Sequence, residues 1–117
     1  MFIDYQYEHP KGGIQTATTD SIADALNVCK GAKNYRIFIS IEDIPAALKE
    51  LRKYQEMTLE AVADALNASI PDGKGYTRQA IYSIEKGIKP VGLKVIRTLL
   101  DIYEVELSFS ISEKKGT

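Results

Sequence analysis

Two threonines, Thr58 and Thr77, each open a run of apolar residues at helical spacing, and the distance between the runs limits what the chain can fold into. After Thr58, the residues Val62, Ala63 and Leu66 fall on one helix face. After Thr77, Ile81 and Ile84 do the same, and Gly87 stands where such a helix stops. Ten residues, Asn67 to Tyr76, separate the two helices. Two short helices packed in sequence are usually joined by a turn of about three or four. The join carries Pro71-Asp72-Gly73-Lys74-Gly75, a set of strong turn residues. Lengthening a flexible loop by about eight residues costs only on the order of 1 kcal/mol in closure entropy, so the helix pair tolerates it.

Further helices bracket this pair. Asp43 is placed to cap a helix from Ile44 to about Tyr54, with Pro45 in its first turn and Ala47, Leu48 and Leu51 as its buried stripe. Another runs from about Gly92 to Tyr103, with Leu93, Ile96, Leu99 and Leu100 on its apolar face. The flanks read as strands. Phe2–Glu8 is aromatic and β-branched, His9–Gly13 is a turn, and Ile14–Thr18 returns as the second arm of a hairpin. Thr19 or Asp20 caps a helix with Ile22, Ala25, Leu26 and Cys29 inward, and Gly31 is placed to end it. Tyr35, Ile37, Ile39 and Ile41 alternate along one strand, and Val105, Leu107, Phe109 and Ile111 along another. The tail Glu113–Thr117 is expected to fray.

Net charge is −1, which alone argues weakly against nucleic acid, but its distribution argues the other way. Residues 1–47 are net −2 (four Lys and Arg, six Asp and Glu), and residues 98–117 are again net −2 (two against four). Residues 74–97 carry Lys74, Arg78, Lys86, Lys89, Lys94 and Arg97 against Glu85 alone. Positive charge therefore gathers around the second helix of the pair, where it either meets phosphate or forms a solvated basic face.

Residues 48 to about 105 resemble the lambda-repressor-like, Cro and Xre type of helix-turn-helix DNA-binding family. The residues that carry the likeness are Leu48 and Leu51-Arg52, then Met57-Thr58, Val62-Ala63 and Leu66. Thr77-Arg78-Gln79, Ile81, Ile84-Glu85 and Gly87 follow, and Pro90, Leu93, Leu99-Leu100 and Tyr103-Glu104-Val105 complete the pattern. The resemblance implies a lambda-repressor-like helical helix-turn-helix core, and the strands read at the two ends add to it, so an α+β fold is expected with flanking N- and C-terminal β-strands forming a small sheet. Residues 1–43 would be a strand-rich segment (ββαβ) packed on the core or forming a dimer. Residues 44–105 would be the DNA-binding domain with its insert at 67–75, and residues 106–117 the C-terminal strand and tail.

The resemblance also implies a sequence-specific transcriptional regulator of the repressor kind with recognition helix 77–87. Arg78 offers guanine a bidentate pair of donors, and Gln79 both donates to and accepts from adenine. Tyr82, one turn on, either touches a thymine methyl or phosphate or packs on a neighbouring helix. Thr58, Lys74, Thr77, Lys86 and Lys89 are the expected phosphate contacts. Glu85 is expected to belong to the fold, with Arg52 as its partner. The sequence departs from the family at Leu59, where a glutamine is usual, so Thr58 or Lys53 is expected to take that phosphate. Ala80 and Ser83 are small where readers often carry longer polar groups, and the 67–75 insert either reaches phosphate through Lys74 or is a surface excursion.

The expected partners are double-stranded DNA bearing a palindromic operator and a second copy of the chain, with Phe109, Ile111, Ile37 and Ile39 as core or interface residues. An alternative is an antitoxin-like DNA-binding protein whose front half, with Phe2, Tyr5 and Tyr7, grips a partner protein. A third is pure protein interaction on a degenerate helix-turn-helix. An enzyme is not expected: one histidine (His9) and one cysteine (Cys29) do not assemble a Ser/His/Asp or Cys/His set. No metal, cofactor or membrane span is expected, and the single cysteine and unremarkable start suit the cytoplasm.

Overall fold

The computed structural model describes residues 1–32, 34–71 and 75–110, the side chains of 108–110 excepted. Among these, the order is β1 (Ile3–Glu8), β2 (Ile14–Thr19), α1 (Ile22–Cys29), β3 (Tyr35–Ser40), a 3-10 turn (Ile41–Asp43), α2 (Ile44–Tyr54), α3 (Leu59–Ser69), α4 (Arg78–Glu85), α5 (Leu93–Ile102) and β4 (Ser108–Ser110). The class is α+β. The chain divides into two units: Met1–Ile44 with the segment from Leu107 onward, and Pro45–Glu106.

The first unit is built on a sheet of order β2-β1-β3-β4. β1 pairs antiparallel with β2 (Tyr5 opposite Ala17) and with β3 (Tyr5 opposite Ile37). Strand alternation places Ile3, Ile37 and Ile39 on one face, and all three are buried. α1 packs against β1 and β2 with Ile22, Ala25, Leu26 and Cys29 buried, as their helical spacing requires. Burial pushes the Cys29 thiol up from its ordinary value, so the group behaves as a small apolar core residue.

Several sequence expectations are corrected here. The sheet is N-terminal in substance: three antiparallel strands come from the first 40 residues, and the other end adds only Ser108–Ser110, parallel to β3. Val105, expected in that strand, instead closes the turn after α5, its N–H donating to Leu100 O at 3.0 Å. Ile111 and the side chain of Phe109 lie outside the described residues. Ser21, not Thr19 or Asp20, caps α1, its hydroxyl accepting from Asp24 N–H at 3.4 Å. Gly31 does not take the left-handed conformation of a glycine stop; the helix ends through Lys30. Asp43 lies inside a 3-10 turn that runs directly into α2, so no extended cap position exists there. Tyr35 and Ile41 sit at the two ends of the β3 stripe and are exposed.

The second unit is helical. Ala47, Leu48 and Leu51 of α2, Val62, Ala63 and Leu66 of α3, Ile81 and Ile84 of α4, and Ile96, Leu99 and Leu100 of α5 are all buried. Leu93, expected on the α5 stripe, is 52% exposed because it is the first helical residue and precedes the packed turns. Three helices end in one geometry. After α2, α4 and α5 a residue turns left-handed: Glu56 (φ 55°), Gly87 (φ 71°) and Glu104 (φ 59°). In each case the next residue's N–H reaches back to the last turn: Met57 to Arg52 O, Ile88 to Ser83 O, and Val105 to Leu100 O, all at 3.0 Å. Gln55 Nε2 donates to Tyr103 O at 2.8 Å and ties the end of α2 to the end of α5.

Tyr103 is fully buried, and burial raises its phenol well above its ordinary value, with the Glu85 charge adding to the rise and Arg52 opposing it. The folded state therefore keeps a proton that the unfolded chain releases near pH 10. Stability is expected to be insensitive to this group below pH 10 and to fall above it by up to about 1.4 kcal/mol per pH unit. Urea titrations between pH 9 and 11.5 check this: Tyr103→Phe should flatten the alkaline slope, and an unchanged slope would assign the loss elsewhere.

Candidate nucleic-acid interface

α4 is set by its two ends and its inner face. Thr77, in extended backbone, accepts from Ala80 N–H through Oγ1 at 3.1 Å, a cap that contributes about 1 kcal/mol. The cap uses a lone pair of the hydroxyl and leaves its O–H able to donate outward. Thr58 caps α3 in the same way, accepting from Ala61 N–H at 3.0 Å. Gly87 supplies the left-handed residue that stops α4, a backbone conformation strained for any side chain.

Ile81, Ile84 and Glu85 face inward, so Arg78, Gln79 and Tyr82 face out; the first two are exposed and Tyr82 is 41% exposed. Lys86 Nζ lies 5.6 Å from the centroid of the Tyr82 ring, a cation–π arrangement that draws both side chains onto the outer face. Lys86 and Lys89 are exposed on either side of the Gly87 turn, with Ile88 between them 72% exposed. Thr58, Thr77, Arg78, Gln79, Tyr82, Lys86 and Lys89 thus all present themselves to solvent, while Lys74 lies outside the described residues.

Glu85 is what holds α4 in place. Its carboxylate accepts from Arg52 Nε at 2.8 Å and from Nη2 at 3.1 Å, while Arg52 Nη1 donates to Met57 O at 3.2 Å. One guanidinium therefore links α2, α4 and the turn before α3. The two side chains are only 13% and 4% exposed, so the carboxylate is buried and the guanidinium largely covered.

The join between α3 and α4 differs from the sequence reading. α3 runs through Ser69, three residues beyond Leu66, and ends at Ile70, whose backbone (φ −125°, ψ 85°) has left the helical region that a following proline disfavours. Ile70 is buried, so the supposed insert contributes a core residue. Asn67, read as the first loop residue, is helical. Its side-chain amide donates to Tyr76 O and accepts from Tyr76 N–H, both at 2.7 Å. This two-way clasp pins the far end of the loop one residue before the Thr77 cap, so the direction of α4 does not depend on the loop between. Asn67→Ala is expected to cost about 1–3 kcal/mol, two neutral hydrogen bonds, in chemical denaturation. Asn67→Asp, which keeps the acceptor only, should fall between; a cost near zero would mean that the clasp contributes nothing.

Two acids beside the start of α4 were missed in the sequence. Glu60 and Asp64 line one cleft with Ala63, Tyr76, Thr77 and Arg78. Their spacing of four residues on α3 was the available signal. They place negative charge next to Arg78 and restrict where a phosphate can approach. Among the described residues no group of His, Cys, Asp and Glu is placed to hold a metal, and no helix is long and apolar enough to cross a membrane. Comparison with protein-family models, curated proteins and solved structures finds no match to the chain.

Proposed function

We propose that the helical unit is a sequence-specific DNA reader of the lambda-repressor-like helix-turn-helix type, with α3 and α4 as the motif and α4 as the recognition helix. The observation that carries the reading is the outer face of α4: Arg78, Gln79 and Tyr82 exposed on one side of a short capped helix whose opposite side is fixed by Ile81, Ile84 and the Arg52–Glu85 pair. A helix of this size fits the major groove, where bidentate donors distinguish guanine and an amide distinguishes adenine. Arg78 takes the first role and Gln79 the second, with Tyr82 against a thymine methyl. The hydroxyls of Thr58 and Thr77 and the ammonium groups of Lys86 and Lys89 hold the backbone and set register.

Glu60 and Asp64 repel misplaced phosphate and so favour one docking position over a general affinity for polyanions. The protein then acts in the cytoplasm as a transcriptional regulator, repressing where its operator overlaps a promoter. Titration of the full chain against DNA carrying inverted repeats from upstream of its own gene tests the reading. Binding should fall steeply with salt and survive excess competitor DNA. Absence of salt-dependent binding to any duplex would sink it.

A further inference from the structure

We infer that β2 is a self-association edge, pairing antiparallel with β2 of a second copy so that two sheets become one. Among the described residues β2 has a strand neighbour on one side, β1. The phase of its free side follows from two hydrogen bonds: Glu8 N–H donates to Asn34 O on the β3 side at 3.0 Å, and His9 N–H to Gly13 O on the β2 side at 2.9 Å. Residues along an antiparallel strand turn their N–H and C=O groups alternately to one side and the other. Ile3, Tyr5 and Tyr7 therefore bond towards β2, and their partners Thr19, Ala17 and Gln15 bond back. Ile14, Thr16 and Thr18 are left with N–H and C=O pointing away from the sheet.

That edge lacks the usual protections. From Ile14 to Thr19 there is no charge, proline or glycine, and every residue but Thr19 is exposed. Edge strands normally carry lysine, proline or a bulge against unwanted pairing; this one is regular and rich in β-branched residues.

The geometry selects a second copy as the occupant. Centred on Thr16, antiparallel pairing sets Thr16 opposite its own counterpart and Ile14 opposite Thr18 of the second copy. All three outward residues are then used, giving about six hydrogen bonds, two for each facing pair. A shift of two residues leaves one of the three unpaired. The strand ends agree. Lys11, in the hairpin turn before β2, and Asp20, just after it, are both exposed. Antiparallel self-pairing brings the Lys11 end of each copy to the Asp20 end of the other, whereas parallel pairing would set like charges together. Ile14, 70% exposed, gains cover beside Thr18 of the second copy.

The inference stands on the sheet alone and not on the DNA reading, and its test is made without DNA. Light scattering and sedimentation equilibrium of the full chain should give twice the chain mass. Thr16→Lys or Thr16→Glu sets like charges face to face across the two-fold axis and should weaken the dimer at least about ten-fold. Both should stay folded, with the wild-type circular dichroism spectrum, since residue 16 is exposed, and should lose the concentration dependence of melting that a dimer confers. Thr16→Pro, which removes the central donor from each copy but is tolerated at an edge, should do the same without charge. Mixing the Lys and Glu variants should restore the dimer. A monomeric wild type, variants that stay dimeric, or a mixture that stays monomeric would each overturn the proposal. A dimer that ignores DNA would remove only the proposed function, and a monomer that binds DNA only the edge.

Discussion

Glu85→Ala is expected to cost the helical unit about 3–5 kcal/mol, because it strands a guanidinium that is only 13% exposed. Arg52 would keep its bond to Met57 O at 3.2 Å and lose both bonds to the carboxylate, at 2.8 and 3.1 Å. Arg52→Ala should cost as much for the converse reason, leaving a carboxylate whose side chain is 4% exposed. Domains of ordinary size have about 5–15 kcal/mol in total, so either change removes a large share of it. Arg52→Lys should not rescue, since an ammonium cannot supply the two-pronged geometry. The double variant Arg52→Met, Glu85→Leu is the informative control, since an apolar pair of similar volume is often neutral or stabilising. If it melts no higher than the single variants, packing and not stranded charge sets the cost. Denaturant titration of the four proteins decides this.

What the sequence disclosed, and what it hid, divides along the range of the interactions. The buried stripes Val62, Ala63, Leu66 and Ile81, Ile84, and the Thr58 and Thr77 caps, were legible because each depends on neighbours within one helical turn. The Arg52–Glu85 pair lies 33 residues apart in the chain, and the family resemblance, not the spacing, pointed to it. Glu56 and Glu104 were invisible as helix stops because the left-handed signal sought in a sequence is glycine, and only Gly87 supplies one. The Asn67 clasp was missed for a related reason. An asparagine after an apolar stripe reads as the start of a loop, whereas here it stays helical and spends its amide on the backbone of Tyr76. The C-terminal strand was drawn too long: alternation runs on through Val105, but Val105 closes the turn after α5 and only Ser108–Ser110 pair with β3.

The candidate site follows the same rule. Arg78, Gln79 and Tyr82 were recognisable by type, but which side they take is fixed by the burial of Ile81 and Ile84 on the other. Glu60 and Asp64 came into the site only through the packing of α3 on α4, which no local pattern in the sequence specifies.

The proposed DNA contacts divide into two kinds that one pair of variants separates. Arg78→Ala removes a side chain that is exposed in the free protein, so the fold should be unaffected while operator binding loses about 1–3 kcal/mol. The loss should be confined to the operator. A site substituted at the guanine that Arg78 reads should bind the variant and the parent alike, and binding to unrelated DNA should change little. Lys86→Ala should behave oppositely. It removes one phosphate contact, so affinity should drop for every sequence and the slope of log K against log salt should flatten by about one. It also uncovers the Tyr82 ring, which Lys86 overlies at 5.6 Å, so Tyr82 should become more mobile in the free protein. Combining Lys86→Ala with Tyr82→Ala, which removes the ring that Lys86 overlies, asks whether the two act through one contact. Additive losses would place them on separate groups of the duplex, and a double loss no greater than that of Lys86→Ala would make Tyr82 a prop for the lysine. Anisotropy titrations of operator and scrambled duplexes over a salt series measure all of these. If Arg78→Ala weakens both duplexes equally and flattens the salt slope, the arginine is a phosphate contact and the base-reading role moves to Gln79.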